Sequence, residues 1–116
     1  MRRAAADHLG LVNDLYSAGI EDPGERYHNL VFVLARQEHL ALEDATRQAV
    51  RLANGFVHSY LAARDDLAAQ LEAVPDAAVR ATATEVATAY GTLMRGNLDY
   101  HTRAERYRRR RTAHIP

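Results

Sequence analysis

The chain has 116 residues, a length that suits one modest domain built around a single core. Its 15 basic and 15 acidic residues cancel, which excludes a general electrostatic attraction to nucleic acid or to an anionic membrane. The absence of cysteine excludes a disulfide framework and a thiolate zinc site.

The N-terminal stretch does not have the pattern of a targeting segment. MRRAAADHLGLVNDLYS meets polar residues before the apolar region of a signal peptide develops, and no 18 consecutive apolar residues occur anywhere. The sequence therefore predicts a cytoplasmic protein with no membrane partner.

Helical periodicity dominates the first 39 residues. Residues 2–20 carry apolar side chains such as Leu9 and Val12 at helical spacing, and the segment closes at Gly19 and the turn-forming Asp22-Pro23-Gly24. Residues 25–39 hold the most apolar stretch, residues 30–35. That stretch alone could be a buried strand, but the length and the charged flanks favour a buried helix.

A long amphipathic helix is predicted from residue 42 to about residue 74, and Pro75 with Asp76 breaks it and caps a fourth helix. The core-facing positions of the two helices recur at intervals of about three, four or seven: Ala49, Ala53, Phe56, Tyr60, Leu67, Leu71 and Val74, then Val79, Ala83, Val86, Tyr90, Leu93 and Met94. A short basic helix or tail follows, and residues 108–116 are expected to be a flexible basic tail. The predicted fold is all-α: a compact helical bundle in a single domain, residues 1–116.

The segment NDLYSAGIE contains a polar stripe. Asn13, Ser17 and Glu21 are spaced four residues apart, so on a helix they project from one face over about 12 Å. Amide, hydroxyl and carboxylate oxygens are hard donors that suit Mg²⁺, and Mg²⁺ in proteins commonly recruits substrate phosphates. Spacing alone favours the simpler interpretation that Asn13 and Asp14 are solvated while Ser17 and Gly19 help to end the helix.

Three blocks together carry a resemblance to a known family. NDLYSAGIE, then YHNLVFVLARQEHLALEDA, then RGNLDYHTRAERY resemble the C-terminal part of the bacterial class I terpene synthases, from about residue 7 to residue 108. Such enzymes are all-helical lyases that bind an isoprenyl diphosphate through Mg²⁺ and ionise it to an allylic carbocation, which cyclises in an apolar pocket.

The resemblance assigns roles to residues of this chain. It implies that Asn13, Ser17 and Glu21 are Mg²⁺ ligands and that Arg106 and Tyr107 donate hydrogen bonds to the diphosphate. Tyr100 stands at the position of a pocket aromatic, usually tryptophan, whose ring could face the carbocation.

Departures from the family's pattern limit what the chain is expected to do alone. Ile20 stands where the family usually has lysine or arginine, and Gly19 weakens the last helical turn. The family's aspartate-rich motif should lie well before the Asn/Ser/Glu motif. Asp65-Asp66 is no substitute, because it comes after that motif and has no third acid at the required spacing. Little or no activity is expected of these residues without a missing N-terminal half.

Three hypotheses therefore remain open. The chain is a portion of a terpene cyclase, one half of a split enzyme, or a helical interaction module or gene relic without chemistry. The arginine run at residues 108–111 could bind nucleic acid or acidic lipid, but it is interpreted as a solvated terminus because no interleaved aromatics accompany it. The six histidines lack zinc-binding spacing and are expected to be exposed or partly packed.

Overall fold

The computed structural model describes residues 1–18 and 28–113, and for residues 106–113 it describes the backbone alone. This part of the chain holds four α-helices and no strand: α1 (Arg2–Ser17), α2 (Leu30–Gln37), α3 (Leu42–Leu71) and α4 (Ala77–Ala113). The prediction of an all-α fold is confirmed.

A row of alanines on α3 allows the shorter helices to pack closely. Ala45, Ala49 and Ala53 are buried, and Leu11 of α1 and Val31 of α2 pack against them. Residues four apart lie on one face of a helix, so the small side chains form a flat strip along α3. This strip fixes where α1 and α2 lie.

A second cluster joins α1 to both long helices. Ala5 of α1, Tyr60 of α3 and Met94 of α4 are buried together. The Tyr60 hydroxyl donates a 2.5 Å hydrogen bond to the carbonyl oxygen of Ala87, which ties α3 to α4. Core positions predicted at Tyr60 and Met94 are confirmed, and Phe56 and Tyr90 are half-buried against the clusters.

The second helix is shorter than predicted. The described part of the predicted segment, residues 28–39, is α-helical only from Leu30 to Gln37. The helix α2 begins directly after Asn29, because the Asn29 side chain accepts a hydrogen bond from the backbone N–H of Val31 as an N-cap. At the C-terminal end of α2, His39 has a positive φ of 52°, and the backbone N–H of Leu40 donates a hydrogen bond to the Ala35 carbonyl.

The fourth helix is longer than predicted. Asp76 caps it as expected, with Oδ1 accepting from the N–H groups of Ala78 and Val79. The basic segment predicted as a separate short helix or tail continues α4 without a break as far as Ala113. No proline lies between Ala77 and Ala113, and the cost of Gly91 and Gly96, about 1 kcal/mol each, does not interrupt the helix.

The prediction of a compact bundle is wrong in shape. The radius of gyration is 18.0 Å and the molecule extends 63 × 36 × 21 Å, whereas a compact domain of about 100 residues has a radius of gyration of about 13 Å. The cause is a mismatch of lengths, because α1 has 16 residues while α3 and α4 have 30 and 37. Together with α2, which has 8 residues, α1 is too short to cover the full length of the two long helices.

Two groups of residues differ in burial from their prediction. Val79, Val86 and Leu93 are about half exposed, because no described helix covers that side of α4. His8, expected to be exposed or partly packed, is buried on α1 with 6% exposure. None of the described helices is long and apolar enough to cross a membrane.

Candidate metal and diphosphate site

The last two turns of α1 carry the first two predicted metal ligands. Asn13 is exposed and Ser17 is half-buried, and both lie on α1 four residues apart. Their positions are therefore on one helix face, separated by about 6 Å along the axis. Glu21, the third predicted ligand, and Ile20 lie outside the described residues.

Ser17 is held by a hydrogen-bonded junction between α1 and α2. Its hydroxyl donates to the carbonyl oxygen of Asp14 at 3.5 Å and accepts from Nδ2 of Asn29 at 3.4 Å. Nδ2 of Asn29 also donates to the Asp14 carbonyl at 2.8 Å. In return, the Asp14 carboxylate accepts from the backbone N–H of Leu30 at 3.0 Å.

The Asp14 carboxylate therefore has a structural partner, and the interpretation of Asp14 as merely solvated is wrong. It lies at the N-terminus of α2, where exposed N–H groups and the helix dipole favour a negative charge. The end of α1 and the start of α2 are joined by this contact although Asp14 and Leu30 are 16 residues apart in the chain.

A second junction joins the end of α1 to α4. The Tyr16 ring stacks on His101 with centroids 5.4 Å apart and planes inclined by 14°. The Tyr16 hydroxyl also lies 3.2 Å from Oγ1 of Thr102, at hydrogen-bonding distance. Tyr16 directly precedes Ser17, so the metal-motif end of α1 lies against this part of α4.

The predicted diphosphate and pocket residues lie on the same part of α4. Arg106 and Tyr107 are one turn beyond Thr102, about 6 Å along the axis, and their backbone is helical, while their side chains lie outside the described residues. Tyr100 is 68% exposed, and its ring meets His101 edge-on at 5.4 Å. The structure thus brings three of the predicted sites, at Ser17, Tyr100 and the backbone of residues 106–107, to one end of the molecule.

The donor set fits a hard divalent cation. No cluster of three or more histidine, cysteine, aspartate or glutamate side chains that could hold a metal occurs among the residues that the structure describes. The amide oxygen of Asn13 and the hydroxyl oxygen of Ser17 are hard donors of the kind that suit Mg²⁺. Asp65 and Asp66 are exposed on α3, in agreement with their interpretation as a solvated pair.

Sequence reasoning missed Asn29 and the pairing of Tyr16 with His101 and Thr102. Asn29 could have been found, because an asparagine directly before an apolar helical run is a typical N-cap. The contact of Tyr16 with α4 has no local signal, since its partners are 85 and 86 residues away in the chain. An open groove of about 610 Å³ between α3 and α4, bordered by Arg64 and Arg95, includes none of the predicted site residues.

The described residues form an all-helical domain whose first helix ends in the polar stripe that begins with Asn13 and Ser17. Residues 1–59 match the family model described as terpene synthase family 2, C-terminal metal binding. The chain belongs to the terpene synthases and corresponds to their C-terminal part.

Individual relatives agree with the family match. The chain is 33% identical over 109 residues to (2Z,6E)-hedycaryol synthase of Kitasatospora setae. This match covers 92% of this chain and 32% of that synthase. It is 32% identical over 101 residues to germacrene A synthase of Nostoc punctiforme. This match covers 87% of this chain and 30% of that synthase. A 67-residue match to 2-methylisoborneol synthase of Streptomyces lasalocidi is 42% identical. It covers 56% of this chain and 14% of that synthase.

The chain spans about a third of the length of the first two of these relatives. No solved structure gives a significant match to it.

Proposed function

We propose that the chain is the metal- and diphosphate-binding portion of a Mg²⁺-dependent class I terpene synthase, a lyase that ionises and cyclises an isoprenyl diphosphate. The observation that carries the proposal is the contact of Tyr16 with His101 and Thr102. It places the helix end that bears Ser17 beside the segment of α4 that leads to Arg106 and Tyr107.

The residues at this end have complementary tasks. Asn13, Ser17 and Glu21 would hold Mg²⁺, which when bound neutralises charge on the departing diphosphate. Arg106 would grip the diphosphate through its planar guanidinium, and the Tyr107 hydroxyl would add a directed donor. The exposed ring of Tyr100 would face the developing carbocation.

Ionisation needs more than this end of the molecule supplies. The leaving group must be stabilised by several cationic centres in a cavity that excludes water. The 116 residues include the predicted metal motif at Asn13, Ser17 and Glu21 and no aspartate-rich motif. We therefore propose that these 116 residues by themselves bind metal and diphosphate weakly and do not turn over substrate.

The exposed side of α4 supports a role as part of a larger assembly. Val79, Val86 and Leu93 are spaced seven residues apart and about half exposed, which leaves an apolar row along the helix. Such rows usually mark a surface that contacts another protein segment. This observation favours a chain that packs against a further protein segment, a property that a cyclase portion, a split-enzyme half and a helical interaction module share.

Calorimetric titration of the chain with Mg²⁺ in the presence of inorganic diphosphate tests the proposal. We expect measurable binding, and Ser17→Ala should weaken it about tenfold, equivalent to about 1.4 kcal/mol, because one oxygen ligand is lost. Ser59→Ala is the matched control, since Ser59 is exposed on α3 away from the site. Absence of binding, or equal affinity of the Ser17→Ala variant, would refute the metal-binding role and favour the module.

A further inference from the structure

Both the oxygen and the nitrogen of the Asn29 side-chain amide form hydrogen bonds in the junction between α1 and α2. It is 1% exposed, its Oδ1 accepts from the Val31 N–H at 2.9 Å, and its Nδ2 donates to the Asp14 carbonyl and to Oγ of Ser17. We propose that Asn29 is a positioning residue for the metal site: it sets the orientation of the Ser17 hydroxyl before Mg²⁺ binds. This inference rests on the proposed function, in which Ser17 is a metal ligand.

The orientation of the Asn29 amide is fixed by its partners. The Val31 N–H requires an acceptor, so Oδ1 must face α2. Nδ2 then has to face α1, where the Asp14 carbonyl and the Ser17 oxygen accept its two hydrogens. A flipped amide would place two donors against each other at Val31 and an acceptor against a carbonyl at Asp14, and buried polar groups left without partners in this way are destabilising.

Two hydrogen bonds of Ser17 lie within this junction. Its hydroxyl donates to the Asp14 carbonyl at 3.5 Å and accepts from Nδ2 of Asn29 at 3.4 Å, and together these contacts favour one orientation of the side chain. A ligand held in one rotamer before the ion arrives loses less conformational freedom on binding. The Asp14 carboxylate fixes the same junction from the other side through the Leu30 N–H. Removing the Asn29 donor should therefore lower metal affinity by releasing Ser17.

Asn29→Asp separates this role from helix capping. The carboxylate keeps an acceptor for the Val31 N–H and suits a helix N-terminus, but it cannot donate to Ser17 or to the Asp14 carbonyl. We expect the variant to bind Mg²⁺ with inorganic diphosphate about tenfold more weakly in calorimetry, the low end of the usual effect of an outer-shell partner. Circular dichroism at the titration temperature establishes that the variant is folded.

A double-mutant comparison distinguishes positioning from a general structural effect. If Asn29 acts through Ser17, Asn29→Asp should weaken binding in the wild-type background and cause no further loss in the Ser17→Ala background. Equal losses in both backgrounds, or an unchanged affinity in the single variant, would overturn the positioning role while leaving the metal site intact. No binding by the wild-type chain would overturn the proposed function and the positioning role together.

Nuclear magnetic resonance of the unmodified chain gives a test that does not depend on the variant folding. The side-chain amide resonances of Asn29 should shift when Mg²⁺ and inorganic diphosphate are added, because their acceptor Ser17 becomes a metal ligand. Asn54, exposed on α3, is the control and should not shift. Absence of a shift at Asn29 under saturating Mg²⁺ and diphosphate would overturn the inference.

Discussion

Gly91 is required by the close approach of α4 to Tyr60. A Cβ placed on Gly91 would lie 2.6 Å from the Tyr60 hydroxyl oxygen and 3.2 Å from Cζ. The Tyr60 ring has little freedom to withdraw, since it is buried and its hydroxyl is bonded to the Ala87 carbonyl. The absence of a side chain at residue 91 is therefore what allows the two long helices to meet.

Gly91→Ala should destabilise the protein by about 1 kcal/mol. Overpacking a filled contact costs about 1–3 kcal/mol, and the better helix propensity of alanine returns about 1 kcal/mol. Urea denaturation followed by circular dichroism measures the change. Gly96→Ala is the matched control: a Cβ placed on Gly96 would meet nothing within 4 Å, so this substitution should stabilise by up to about 1 kcal/mol. Equal effects of the two substitutions would contradict the proposed contact.

His8 is a buried titratable group outside the candidate site. Burial lowers the pKa of its imidazole below the ordinary value of 6.5, and its Nδ1 has no hydrogen-bond partner among the described residues. The folded state therefore binds a proton less readily than the unfolded chain. By linkage, the stability is intact above the unfolded pKa and falls as pH drops from about 6.5 through the lower folded value.

Denaturation curves between about pH 8 and about pH 5 should show this dependence. We expect a constant contribution from His8 above about pH 7.5 and a growing loss of unfolding free energy below about pH 6.5. His8→Gln should flatten that decline, whereas His58→Gln, at an exposed position on α3, should leave it unchanged. A wild-type slope that survives in His8→Gln would assign the pH dependence to other groups.

At the scale of single helices, α2 ends with a backbone conformation that its residue does not favour. His39 adopts a φ of 52°, in the left-handed region that glycine occupies most easily, and the Leu40 N–H returns to the Ala35 carbonyl at 3.0 Å. This is the helix ending for which glycine is the preferred residue. A non-glycine residue in that region costs about 1–2 kcal/mol.

His39→Gly should therefore stabilise the protein by about 0.5–1 kcal/mol. This is the free energy of backbone strain that is relieved, minus the free energy lost because glycine increases the conformational entropy of the unfolded chain. Thermal melting is expected to show a midpoint higher by a few degrees. Gln37→Gly is the opposite control, because residue 37 is exposed and is the last helical residue of α2, so this substitution should destabilise by up to about 1 kcal/mol. A lower midpoint for His39→Gly would show that the histidine side chain makes a contact that outweighs the backbone strain.

Helix identity was predictable for this chain, and helix boundaries were predictable only where local chemistry sets them. Asp76 follows Pro75 and caps α4 as expected, because a proline break and a capping carboxylate are both local. The start of α2 depends on Asn29, whose side chain also bonds to residues of α1 that are distant in sequence. The continuation of α4 to Ala113 follows from the absence of a breaker, which a basic composition obscured.

At the scale of the whole molecule, the candidate site was predictable as a set of residues and not as an arrangement. Spacing places Asn13 and Ser17 on one face, and α1 confirms that placement. The contact of Tyr16 with His101, which joins the end of α1 to the later part of α4, has no signature in local periodicity. Periodicity also does not tell how far the short helices extend along the long ones, so the apolar row on α4 was predicted to face a core, whereas the open shape leaves it about half exposed.

The short helices α1 and α2 pack against only part of α3 and α4, and this predicts that local stability differs along the two long helices. Residues 45–60 of α3 and 87–102 of α4 hold the buried core positions that pack with α1 or α2. Beyond them, residues 61–86 form the distal part of the hairpin, where an open groove of about 800 Å³ bordered by Leu71 and Arg80 separates the helices. Few buried contacts and an exposed backbone are the conditions for low-energy local opening.

Hydrogen exchange should therefore divide each long helix into two parts. We expect amides of residues 62–71 and 80–86 to exchange at least about tenfold faster than those of residues 49–60 and 90–98, because opening the distal hairpin disrupts no contact with α1. Leu71→Ala should speed exchange in the distal part alone, while Leu11→Ala, which removes a buried contact between α1 and α3, should speed it in both. Uniform protection along α3 would mean that the hairpin opens only when the whole molecule unfolds.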